Sequence, residues 1–107
     1  MLVEMRTYNL QIGKMADYFK LYEAEALAVQ KRILGRLVGY YRTEIGELNQ
    51  IVHMWGYTDL NERNERRTAL FKDSAWLAYL EKARPFFEKQ HSQILVPAPF
   101  FKPTWME

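Results

Sequence analysis

With 107 residues the chain can bury one hydrophobic core but not two, and its formal net charge of +2, spread without a Lys/Arg run, offers no footprint for nucleic acid. The absence of cysteine excludes disulfides, thiolate nucleophiles and Cys-based metal sites, and no run approaches the roughly 20 apolar residues of a membrane span. Aromatic residues make up 15% of the chain, so some are expected at an interface or pocket as well as in the core. The first ten residues, MLVEMRTYNL, carry Glu4 and Arg6 and lack a secretory apolar run, which makes a cytoplasmic location the expectation.

Residues 2–10 (LVEMRTYNL) alternate as a strand does, with Val3, Met5 and Thr7 on one face and Glu4, Arg6 and Tyr8 on the other. Gln11-Ile12-Gly13-Lys14 reads as a turn. Over residues 15–34 the period lengthens: Ile12, Met15, Tyr18, Phe19, Tyr22, Ala26, Val29 and Ile33 recur at steps of three and four, one stripe of an amphipathic helix. Lys31 and Arg32 suit its C-terminal dipole, and Gly35 is placed to close it.

Residues 37–57 (LVGYYRTEIGELNQIVHMWGY) read as a β-hairpin turning at Gly46-Glu47. A two-residue turn there pairs Tyr40 with His53 and Arg42 with Ile51; a four-residue turn keeps the same faces, because the side-chain period is two. Tyr40, Arg42, Glu44, Ile51, His53, Trp55 and Tyr57 then share one polar and aromatic face. Val52, Met54 and Gly56 join Leu37, Gly39, Tyr41, Thr43 and Ile45 on a smoother face, the one expected to pack on helices.

Asp59, with Glu62 three residues on, has the form of a capping box opening a helix over residues 60–72. The middle of this helix, residues 62–67 (ERNERR), is charged all round and reads as a solvated face laced with Glu/Arg pairs. Asp73-Ser74 caps a further helical segment whose stripe is Trp76, Leu77, Tyr79, Leu80, Ala83, Phe86 and Phe87. Pro85 is expected to kink or break it before its end near Gln90, with His91 capping its last carbonyls. Ile94-Leu95-Val96 reads as a short last strand at a sheet edge, since prolines follow it closely. The tail aromatics Phe100, Phe101 and Trp105 are expected to dock on this domain or on another subunit.

The order βαββαβ defines a single α+β domain over residues 1–107, a ferredoxin-like four-stranded antiparallel sheet with helices on one face. The bare second face, expected to carry Tyr40, Ile51, Trp55 and Tyr57, is too apolar to leave in water. A symmetric homodimer through this open face follows.

Glu4-Met5-Arg6-Thr7-Tyr8, the run from Leu37 to Trp55, and Ile94-Leu95-Val96-Pro97 together resemble the NIPSNAP family across essentially the whole chain. The resemblance implies the dimeric α+β barrel superfamily, in which two sheets face each other. Its relatives include small heme- or quinone-directed monooxygenases and decarboxylase-like enzymes, and a shared fold does not transfer a function.

Three functional readings follow. In the first, the barrel interior binds a small, partly apolar molecule, with Arg6, Tyr8, Tyr40, Arg42, His53 and Trp55 as ligand-binding residues. In the second, a cofactor-free monooxygenase- or isomerase-like enzyme acts on an aromatic or enolisable compound, His53 exchanging protons while Arg42 or Arg6 stabilises negative charge. In the third, the protein is an assembly module with a solid interior. Arg42 with Glu44, and Arg6 with Glu4, are equally placed to pair with each other. Two distant histidines give no metal-ligand spacing, and no cofactor motif is present.

Overall fold

The computed structural model describes residues 1–106. Its elements run β1 (Leu2–Leu10), α1 (Met15–Glu25), α2 (Leu27–Leu34), β2 (Arg36–Arg42), β3 (Gln50–Tyr57), α3 (Leu60–Leu70), α4 (Ser74–Ala83) and β4 (Phe87–Leu95). The strands form one antiparallel sheet in the order β2-β3-β1-β4. This is the ferredoxin-like arrangement that the element order implies.

Local chemistry sets the helix boundaries. Asp59 accepts from the Glu62 N–H at 2.8 Å and Asp73 from the Trp76 N–H at 3.0 Å, so each of α3 and α4 opens on a side-chain cap. The Glu62 carboxylate takes the Thr58 N–H at 2.7 Å, one residue before the expected box partner. Gly35 closes α2 at φ 96°, a conformation that favours glycine, and the Arg66 guanidinium bonds the nearby Ile33 carbonyl at 3.1 Å. Pro85 lies in a short 3₁₀ turn, Arg84–Phe86, where α4 gives way to β4.

The structure departs from the sequence-based expectation in five places, four of them local. The helix expected over residues 15–34 is two helices, divided at Ala26 (φ −121°), a residue whose identity gives no hint of a break. The break keeps Tyr18, Tyr22, Ala26, Gln30 and Leu34 all buried at intervals of four. The last strand covers Phe87–Leu95, so His91 caps no helix; it sits mid-strand opposite Thr7. Its polar run KQHSQ suits a sheet edge and hid the strand. The hairpin loop is longer than a two-residue turn, spanning residues 43–49 between β2 and β3, although the expected pairs Tyr40–His53 and Arg42–Ile51 are formed. A bulge at Val38 shifts Leu37 opposite Trp55, hence onto the face opposite to the one expected.

The largest correction concerns which face the helices cover. Leu2, Glu4, Leu10, Ile51, His53, Trp55 and Tyr57 are buried together with Tyr18 and Tyr22 of α1, Leu34 of α2, Leu70 of α3 and Trp76 and Tyr79 of α4. The polar and aromatic face is therefore the core face. The smoother face, with Val3, Met5, Val52, Met54 and Tyr41, is the one no helix covers. Only the tail crosses it. The Trp105 ring lies so close to Gly56 that a Cβ there would come within 2.7 Å, and Arg36 stands over the same ring at 5.8 Å. Phe100 remains 92% exposed.

Candidate functional site

A cavity of about 190 Å³ lies between the helix layer and the sheet. Arg6 and Tyr8 of β1, Tyr40 of β2, His53 of β3 and Phe87 and Gln90 of β4 contribute from the sheet. Tyr18 and Tyr22 of α1, Gln30 of α2, Arg67 of α3, and Trp76, Tyr79 and Leu80 of α4 contribute from the helices, with Phe71 and Arg84 beside them. Period-two strands and period-four helices deliver these side chains to one space.

The tyrosine hydroxyls are held in two separate hydrogen-bonded pairs. Tyr18 and Tyr40 share a hydrogen bond at 2.7 Å, and the Tyr22 hydroxyl donates to the Gln30 side-chain carbonyl. Burial pushes the Tyr18, Tyr22 and Tyr40 hydroxyls far above the usual phenol range, so all three stay neutral donors and acceptors.

His53 is 1% exposed and stacks on Tyr40 at 4.8 Å, with the Tyr8 ring edge-on at 5.0 Å. The Trp55 indole N–H donates to its Nδ1 at 2.8 Å. Indole only donates, so Nδ1 is the acceptor and the neutral ring carries its proton on Nε2. That Nε2 is buried without a partner. Burial pushes the imidazole down to about 3, Arg6 adding to the shift while Glu4 opposes it. At neutral pH His53 is thus an uncharged N–H donor. Trp55→Phe removes the group that fixes this tautomer and leaves Nδ1 buried and unpaired, which costs about 1–3 kcal/mol. The expected result is a lower melting temperature and a mixture of tautomers in the ¹⁵N spectrum of His53, where the wild type shows Nε2–H alone.

Behind the cavity lies a charge cluster centred on Glu4. Its Oε1 accepts from Arg63 Nε at 3.0 Å; its Oε2 accepts from Arg63 Nη2 at 2.9 Å, Arg6 Nη1 at 2.8 Å and Ser92 Oγ at 2.7 Å. Burial pushes this carboxyl up, but the Arg63 and Ser92 bonds and the Arg6 and Arg67 charges outweigh it and hold it at about 2. Arg6 is further tied by its Nε to the Tyr8 hydroxyl at 2.8 Å. Glu4 is thereby a permanent anion joining β1, β4 and α3.

Of the residues singled out in the sequence, Arg6, Tyr8, Tyr40 and His53 come together around the cavity. Trp55 stands behind it, in contact through His53. Arg42 is elsewhere: half-exposed, it pairs with Glu44 at 2.9 Å beside the hairpin loop. The helical contributors Tyr18, Tyr22, Gln30, Arg67, Trp76 and Tyr79 were not anticipated as site residues. The signal was present in part, since Tyr18 and Tyr22 share a stripe, as do Trp76 and Tyr79, and all carry polar tips. Arg67 was absorbed into the charged run ERNERR. That run does hold a surface pair, Arg66 with Glu62 at 3.3 Å, yet Arg63 and Arg67 lie on the same stripe as buried Leu70 and reach toward the sheet. No group of three or more candidate metal ligands occurs among the described residues.

A four-stranded antiparallel sheet with one helix layer, with a polar and aromatic cavity between them, defines a ferredoxin-like α+β domain. The NIPSNAP family profile matches residues 3–102, and the chain belongs to that family. It is similar to "Protein NipSnap homolog 1" of Danio rerio, 30% identical over 96 residues that cover 90% of this chain and 34% of that protein. The chain thus spans about a third of the length of such relatives. Among solved structures it is similar to Atu4242 of Agrobacterium tumefaciens, 44% identical, with a TM-score of 0.91 over 94% of this chain and 96% of that one. An antibiotic biosynthesis monooxygenase, 9% identical with a TM-score of 0.64 over 92% of this chain and 100% of its own, shares the fold alone. No helix of the described residues is long and apolar enough to cross a membrane.

Proposed function

We propose that this domain binds one small, partly aromatic molecule in the cavity between its helices and its sheet, and that it does so as a homodimer joined through the open sheet face. The observation that carries the binding reading is the pair of buried N–H donors without partners, His53 Nε2 and Trp76 Nε1, both on residues that line the cavity. A buried donor left unpaired costs about 1–3 kcal/mol, a cost that a ligand acceptor removes. The site so placed is internal to each subunit, not in the space between two facing sheets. The geometry favours binding over catalysis. An imidazole held near 3 is too weak a base to exchange protons near neutrality, so His53 orients a ligand instead of attacking one. A cavity of about 190 Å³ also speaks against a module with a solid interior.

A thermal-shift screen of single-ring compounds tests the reading, run on the wild type and on Gln90→Trp. Gln90 is exposed and lines the cavity, so a tryptophan there plugs the mouth without disturbing the core. Compounds in the panel are expected to raise the melting temperature of the wild type and to lose that effect on the variant. If no compound stabilises the wild type, or the plugged variant responds equally, the cavity is not the binding site.

A further inference from the structure

The charge balance around the cavity narrows the class of ligand, an inference that rests on the binding reading above. The cavity is lined by three arginines, Arg6, Arg67 and Arg84, and by no carboxylate among the described residues. Arg6 is committed to Glu4 and Tyr8. Arg84 is exposed to solvent. Arg67 is neither committed nor free in solvent. It is half-buried on α3, its guanidinium lies over the Phe71 ring at 5.4 Å, and it forms no ion pair among the described residues.

Glu4 attracts it through space but makes no hydrogen bond with it. A carboxylate offers about four acceptor sites, and the two arginines and Ser92 already direct four donors at Glu4. Three guanidiniums, those of Arg6, Arg63 and Arg67, therefore gather around one carboxylate. A guanidinium keeps its charge in proteins, so a partly buried one that shares a single, fully engaged carboxylate with two others is stabilised by any anion that reaches it. The other unsatisfied groups agree in sign, because His53 Nε2–H and Trp76 Nε1–H both donate. The site lacks an anionic acceptor and has two N–H donors to spare.

Size and walls set the rest. About 150 Å³ of apolar cavity holds a benzene ring, so about 190 Å³ admits one ring with a small substituent. Tyr8, Tyr22, Tyr40, Trp76 and Tyr79 supply flat faces for it. We propose that the ligand is a monoanionic aromatic carboxylate of one ring, its carboxylate on the Arg67 guanidinium and a further oxygen accepting from His53 Nε2–H.

Titration calorimetry with three single-ring probes of similar size and different charge tests this: benzoate, neutral benzamide and cationic benzylammonium. The wild type is expected to bind benzoate at least 10-fold more tightly than benzamide, and benzylammonium not measurably. Arg67→Gln should bring benzoate and benzamide within about 3-fold of each other while benzamide binding persists. Arg67→Lys, which keeps the charge without the fork, should retain part of the preference. Lys20→Gln, at an exposed cation outside the cavity, should leave it intact. Removing one of three clustered like charges should not lower the melting temperature of the unliganded Arg67→Gln protein, so a folding defect is separable from lost affinity. Equal affinity of the wild type for benzoate and benzamide overturns the anion inference and leaves the binding reading standing. Loss of the preference in Arg84→Gln but not in Arg67→Gln overturns it as well. If none of the three probes binds the wild type, both readings fall.

Discussion

Glu4→Gln is expected to destabilise the folded domain by about 3–5 kcal/mol, because removing one member of a buried ion cluster leaves the others uncompensated. Domains of this kind are stable by only about 5–15 kcal/mol in total, so about a fifth or more of the stability is at stake. Glutamine matches the shape of Glu4 but not its role. Its amide would present N–H groups to Arg63 and Arg6, donors facing donors, and the Arg6, Arg63 and Arg67 charges would lose the anion among them. The sheet and α3 would lose a tie that Arg63 alone makes from the helix side.

The pH dependence separates this cluster from general acid damage. Glu4 titrates at about 2 in the fold against 4.5 in the unfolded chain, so below 4.5 the unfolded state takes up the proton first. The stability that Glu4 supplies, roughly 3 kcal/mol by this shift, is complete above pH 4.5 and is lost as pH falls toward 2. His53 acts at higher pH with the same sign. Its buried ring resists protonation until about 3, while the unfolded ring accepts a proton near 6.5, so stability already declines below 6.5. Denaturant titrations from pH 7 to pH 2.5 are expected to show both declines in the wild type. Glu4→Gln should keep the decline below pH 6.5 and show a shallower one below 4.5, where the capping carboxylates Glu62 and Asp73 still take up protons, starting from a lower plateau. A variant as stable as the wild type at pH 7, with the same acid limb, would remove Glu4 from the centre of the fold's electrostatics.

The centrality of Glu4 was not legible in the sequence, and the reason is physical. Alternation states which residues share a face; it does not state which face the helices take. Glu4, Arg6 and His53 weighed the choice toward exposure, since charged and ionisable groups seldom go inside. What reversed it was mutual satisfaction at a distance: Arg63 from α3 reaching Glu4, and Trp55 donating to His53, contacts between residues far apart in the chain or aligned only by the pleat. The helix stripes held the corresponding hint. Tyr18, Tyr22, Gln30 and Tyr79 bring polar groups to the helix underside, and such a surface packs best against a sheet face that can answer its hydrogen bonds. Local signals were read more readily. The caps at Asp59 and Asp73, the closure at Gly35 and the Tyr40–His53 pairing each depend on a few neighbouring residues, and each is found where the sequence placed it. The polar edge strand around His91 has no apolar alternation to reveal it, and the division at Ala26 has no glycine or proline.

Reversing the faces also changes the argument for the dimer, and Val52→Lys is the variant on which it turns. The face once expected to need a partner is covered by helices; the face left over is the smoother one. Trp105 and its neighbours shield the end near Gly56, Val3 and Met54. The remainder, Met5, Thr7, Val52 and Tyr41, is covered by no helix among the described residues, and Tyr41 is 60% exposed. Antiparallel sheets tolerate one wet face when that face is polar, but Met5, Val52 and Tyr41 side by side are not. A second copy turned about a two-fold axis places this patch against itself. The wild type is therefore expected to sediment at twice 12.8 kDa at micromolar concentration. In an isologous contact each substitution enters twice, so Val52→Lys puts two ammonium groups into one apolar interface, at a cost of several kcal/mol if both stay buried. The variant should sediment as a folded monomer. Because the cavity lies on the opposite side of the sheet, that monomer should still bind the single-ring probes. A wild type that is monomeric at micromolar concentration defeats the dimer. A monomeric Val52→Lys that has lost the probes would mean instead that the open face and the cavity are coupled, and that the site is not complete within one subunit.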